Sequence, residues 1–91
     1  MLSTIKLLYL YILVYPETGI YFQNKPVFIT VHAIKRARQR EIAFPDQVFR
    51  VLNTGKVKRF GKRGIKFVGR TIICVGDDLG SNVIIKTVEK K

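Results

Sequence analysis

The chain has one cysteine, one histidine, no tryptophan and only six acidic residues among 91. A lone cysteine, Cys74, excludes an internal disulfide framework and any cysteine-rich zinc site. It lies in the apolar run TIICV, which reads as a buried strand rather than the setting of a nucleophile. A reducing, cytoplasmic location is the simplest match. With one histidine, no mechanism can draw two imidazoles from one subunit. The six acids are scattered, only Asp77 and Asp78 being adjacent, so a two-metal nuclease centre is not expected. DDLGS (residues 77–81) reads as a hairpin turn rather than a cation site. Neither a G-x-x-x-x-G-K-[ST] phosphate loop nor a G-x-G-x-x-G fingerprint is present. No metal or cofactor is expected. LLYLYILVY (residues 7–15) is nine apolar residues, about half of what a spanning helix needs, so no membrane span is expected. It follows Lys6 as a signal peptide would, but no small-x-small cleavage site follows it.

What the chain does have is positive charge. Seventeen Lys and Arg give a formal charge of +11, and its distribution is uneven. Residues 31–70 carry twelve basic residues against Glu41 and Asp46, a net of +10. Residues 1–30 contribute +1, and residues 71–91 balance to zero. A field concentrated in forty residues attracts polyanions and speeds their encounter. Nucleic acid is the leading partner; an anionic membrane surface or an acidic protein is second.

Apolar residues make up 47% of the chain, enough for one small folded domain. Residues 1–26 read as an N-terminal extension and 27–91 as a single domain. In the extension, the tyrosines and β-branched residues of 7–15 suggest a strand. PETG (16–19) offers a turn leading into IYFQ, an expected hairpin, although a short membrane anchor or a partner-binding strand would explain the same residues. KPVFITV (25–31) reads as a strand. Val31–Glu41 has no Gly or Pro, and a helical period places Ala33, Ile34 and Ala37 on one apolar stripe. AFPDQVFRVLNTG reads as a second helix, with Pro45 in its first turn, Asp46 against the helix dipole and Gly55 at its end. Val48, Phe49, Val51 and Leu52 form its buried face. KVKRF, IKFV, TIICV and NVIIKTV are strands separated by turn residues. The expected fold is α+β: two helices packed on a small twisted antiparallel sheet, with an extra N-terminal hairpin or extension.

Two clusters carry the chemistry. Along HAIKRARQR, helical spacing puts His32, Arg36 and Arg40 in a row beside the apolar stripe, at the edge of the core. RNA supplies its own nucleophile, the 2′-hydroxyl, so metal-independent cleavage needs only proton transfer and charge stabilisation. His32 could move a proton near neutral pH, and Arg36 and Arg40 could hold the phosphate. The plainer reading is a packed histidine with arginines that are solvated or paired to Glu41. KVKRFGKRGIK (56–66) is the second cluster. Lys56, Lys58, Arg59, Lys62, Arg63 and Lys66 surround Phe60, and Lys35 adds charge from the helix. Cations with a ring for stacking suit single-stranded RNA. Lysines on an edge strand also guard against aggregation, which would explain the same residues.

In order and spacing, ITVHAIKRARQREI, DQVFRVLNTGKV, VGRTIICV and VIIKTV resemble the family catalogued as domain of unknown function 4258. Its first helix has the form H-A-x-x-R-x-x-x-R-x-I, which His32, Ala33, Arg36, Arg40 and Ile42 fit position by position. Thr87 fits the threonine of its last strand. The likeness spans roughly residues 27–89. It implies a compact RelE/barnase-like ribonuclease fold of the kind found among toxins, with His32, Arg36 and Arg40 near the active face. Lys86 and Thr87 would be secondary contacts, and an acidic antitoxin a possible partner. Three features depart from the family: Ala43 and Phe44 stand where a Ser-type helix cap is usual, the turn is one residue longer, and residues 1–26 have no counterpart.

Overall fold

The computed structural model describes residues 18–91. The expected strand over 7–15, and with it the first arm of the expected hairpin, lies outside them. Eight elements follow in order: β1 (Tyr21–Phe22), β2 (Lys25–Ile29), α1 (Val31–Gln39), α2 (Asp46–Thr54), β3 (Lys56–Phe60), β4 (Gly64–Val68), β5 (Ile72–Asp78) and β6 (Val83–Lys90). The architecture is α+β.

Residues 18–26, assigned by sequence to the extension, take part in this fold. Ile20 is 4% exposed in the core, and β1 pairs with β2 through a turn at Gln23 and Asn24. Both turn residues have positive φ (52° and 65°), as a two-residue hairpin matched to strand twist requires.

Strand order is β1-β2-β6-β5-β4-β3, and the sheet is mixed rather than wholly antiparallel. β2 runs parallel to β6, with Val27, Phe28 and Ile29 opposite Val83, Ile84 and Ile85. Ile29 and Ile85 are fully buried, so this parallel pairing lies within the core. Asp77 and Asp78, expected in a turn, instead extend β5; the turn falls at Leu79–Asn82, where the Leu79 N–H donates to the Asn82 carbonyl at 2.8 Å.

α1 starts directly after β2. Thr30 caps it, its hydroxyl accepting from the Ala33 N–H at 3.1 Å, while its own N–H donates to the Ile85 carbonyl. The helix ends with Glu41 at φ 56°. The Ile42 N–H reaches the Ala37 carbonyl and the Glu41 N–H the Arg38 carbonyl, the paired bonds of a Schellman end. For α2, Phe44 and Phe49 pack edge to face at 5.8 Å across the first turn, and the Gln47 side chain accepts from the Ala43 N–H. Gly55 closes α2 in an extended conformation, not a left-handed one. Its requirement is space: a Cβ there would sit 2.6 Å from the Val51 carbonyl oxygen and 3.0 Å from that of Val68.

α1 lies over β6, and α2 over β5 and β4. Ala33, Ala37, Val48, Val51 and Leu52 meet Val27, Ile29, Ile65, Phe67, Cys74, Ile85 and Val88 in one core. The opposite sheet face carries no described helix. The sheet curls strongly: the Arg59 guanidinium on β3 lies 5.7 Å from the Phe22 ring on β1, although these are its two edge strands. A flat sheet would hold those edges about 24 Å apart.

Candidate nucleic-acid interface

Strand alternation divides the basic hairpin between two faces. Register pairs Val57 with Phe67 and Arg59 with Ile65, so both point to the core side. There Arg59 and Lys25 donate to the same oxygen of Asp78, at 2.9 and 2.7 Å, while the Gly80 N–H donates to the other. The Asp78 side chain is only 7% exposed. Its carboxyl is held well below the usual carboxylate range, first by the Lys25 hydrogen bond, then by the Gly80 N–H and Arg59. Arg59, its side chain 49% exposed, thus bridges Asp78 and Phe22 across the curled sheet, which the other cations of its segment do not do.

Lys58 and Phe60 project from the sheet face away from α1 and α2, while Lys56, at the start of β3, borders the end of α2. Lys58 lies directly opposite Lys66 in the register, and like charges facing each other across strands are destabilising. The Lys66 ammonium sits 5.2 Å from the centre of the Phe60 ring. The Phe60 ring also covers Gly64, where any Cβ would collide with it. Phe60 is 44% exposed, so it retains open surface, with part of the ring committed to Gly64. Lys62 and Arg63 are exposed in the turn. Among the described residues, Lys56, Lys58, Lys62, Arg63 and Lys66 have no ion pair.

The cross-strand row containing Lys58 and Lys66 continues through Val75 to Thr87. Lys86 is the extra residue of a bulge in β6. Opposite it, Gly76 is needed because a Cβ would strike the Ile84 carbonyl oxygen. The bulge directs Lys86 to Asp77, at 3.0 Å.

The row on α1 belongs to the other layer. His32 is exposed, and its Nε2 accepts from the Arg36 Nε–H at 3.3 Å. Arg40 instead turns to β6 and donates to the Val88 carbonyl at 3.1 Å. It lines a shallow groove with Gln39, Glu41, Glu89 and Lys90. His32 and Arg36 therefore touch each other, while Arg40 is anchored separately. Lys35 is exposed on the same helix. Glu41 pairs with none of these arginines among the described residues. α1 sits over β6, three strands from β3, on the face opposite Lys58 and Lys66, so the two basic clusters are not one surface.

Sequence reading missed a third set of cations. Arg50, Arg70 and Lys91 join Lys56 around a cleft whose apolar lining comes from Val51 and Val68, and among the described residues no Asp or Glu lines it. They come from α2, the β4–β5 turn and the end of β6, and only their separate charges were visible in the sequence. Among the described residues, no cluster of three or more His, Cys, Asp or Glu could hold a metal, and no helix is long and apolar enough to cross a membrane. No protein-family model, curated protein or solved structure matches the chain.

Proposed function

We propose that this protein binds RNA through the face of the β3–β4 hairpin that points away from α1 and α2. The observation that carries the reading is the facing pair Lys58 and Lys66, flanked by Lys56 and without acidic partners among the described residues. Such a pair costs stability in the free protein, and an anion placed between the two ammonium groups relieves that cost. Phe60 adds a partly open ring beside them, and Lys62 and Arg63 extend the charge around the turn. The resemblance of His32, Arg36 and Arg40 to the domain of unknown function 4258 motif points toward the same class of partner.

The test is binding of a single-stranded RNA across a salt series. Replacing Lys58 and Lys66 with alanine should weaken binding for all sequences and reduce the salt slope by about 0.7 for each phosphate no longer neutralised. Unchanged affinity and slope would leave the lysines as edge protection and end the proposal.

A second reading, metal-independent RNA cleavage, draws on the Arg36–His32 contact, which places a guanidinium beside the one imidazole. In that reading His32 moves the proton while Arg36 and Arg40 stabilise phosphate charge. Incubation with RNA in EDTA decides it. Cleavage abolished in His32→Ala supports catalysis, and binding without cleavage leaves a non-catalytic RNA-binding module. An acidic protein partner, such as an antitoxin, would use the same basic surfaces.

A further inference from the structure

The cleft at the C-terminal end of α2 has the chemistry of a nucleotide pocket. Its floor is apolar, from Val51 and Val68, and its rim carries Arg50, Lys56, Arg70 and Lys91. The floor exists because two glycines let the helix end settle on the sheet. Gly55 has no room for a Cβ against Val51 and Val68, and a Cβ on Gly69 would lie 2.5 Å from a Val51 methyl. The Gly69 N–H is held by the Ile72 carbonyl, and Gln47 donates to the Thr71 hydroxyl at 2.9 Å, which fixes the far wall. Lys91 is tied back, its ammonium donating to the Gly69 carbonyl at 3.3 Å. By contrast, Arg50 and Arg70 are exposed and have no ion pair or side-chain hydrogen bond among the described residues.

Four cations around an apolar floor fit a ligand that is anionic at one end and flat and apolar at the other. Inorganic phosphate would leave the floor empty, and an aliphatic acid would engage few of the donors. A nucleotide satisfies both, with its phosphate between guanidiniums that can each bind two oxygens and its base against the valines. Lys56 also fixes the direction of approach, because it lines this cleft and begins the lysine row of β3. We infer that the cleft holds one nucleotide unit of a single-stranded RNA whose neighbouring phosphates lie along Lys56, Lys58 and Lys66. The inference rests on the RNA-binding reading and adds to it a base-accepting pocket.

Two measurements on the full chain test it. In the first, a fluorescein-labelled twelve-nucleotide oligoadenylate is bound by the wild type, by Arg50→Ala/Arg70→Ala and by Lys58→Ala/Lys66→Ala. The cleft variant should bind about tenfold more weakly, the scale of one stacked base with its phosphate. Because both arginines are exposed, its thermal unfolding should match the wild type. In the second, amide resonances are followed by NMR during titration with adenosine 5′-monophosphate and, separately, inorganic phosphate. The Gly55 and Gly69 amides should shift with the nucleotide and much less with phosphate. Equal shifts with phosphate would overturn the base pocket, as would a cleft variant that binds RNA like the wild type. If that happened while the lysine variant still bound more weakly, RNA binding by the hairpin would stand without the cleft. If neither variant bound more weakly, the RNA reading itself would fall.

Discussion

Two residues hold conformations or charges that their surroundings alone justify. Glu41 occupies the left-handed position that ends α1, where a side chain other than glycine's is strained. Glu41→Gly removes that strain but also frees the unfolded chain, so a net gain of about 0.5–1 kcal/mol is expected in urea unfolding. Asp78 is the opposite case, a nearly buried carboxylate satisfied by Lys25, Arg59 and the Gly80 N–H. Its folded-state pKa lies below its unfolded value, so its contribution is fully present above about pH 4 and is lost as pH falls toward the depressed folded value. Asp78→Asn should therefore cost about 1–3 kcal/mol at pH 7, and the deficit should shrink in denaturation measured below pH 4.

Within β3, neighbouring residues have opposite duties because successive side chains point to opposite faces. Lys58 faces Lys66 on the side away from α1 and α2, whereas Arg59 bonds Asp78 and lies over Phe22. Lys58→Ala should weaken RNA binding, and removing one of two facing cations should leave thermal stability unchanged or slightly raised. Arg59→Ala should do the reverse, lowering the melting temperature with little effect on RNA affinity. Running both assays on both variants checks the division, and equal weakening of RNA binding by the two would show that the strand acts as one charged edge. Composition counts Lys58 and Arg59 as equal cations. The period-2 pattern separates their faces, but only the pairing partner shows which face is occupied.

The molecule as a whole is one core wrapped by a sheet whose edges meet at Phe22 and Arg59. Cys74 lies in that core with no exposed surface, and burial pushes its thiol up to about 12. Thiol labelling at pH 8 should therefore proceed only as fast as the core opens, and its rate should rise with urea along the unfolding transition. Rapid labelling of the native protein at zero urea would mean that β5 opens locally, without loss of the whole core.

Both helices and most strands were legible in the sequence because their signals are local. Ala33 and Ala37 at helical spacing, the valines and leucine of α2, and KVKRF between turn residues all depend on neighbours a few positions away. The basic character of residues 31–70 was equally plain. Partnership was not legible. The parallel union of β2 with β6 joins Val27 to Val83, and which buried strands meet is decided by packing the whole chain. The same long-range choice gave Arg59 to Asp78, turned Arg40 toward Val88, set α1 on the face away from Lys58, and gathered Arg50, Lys56, Arg70 and Lys91 around one cleft. Sequence determines which elements form and how much charge they carry. Tertiary structure decides which charges neutralise one another and which stay free, because the distances between residues far apart in the chain are set only when the core closes.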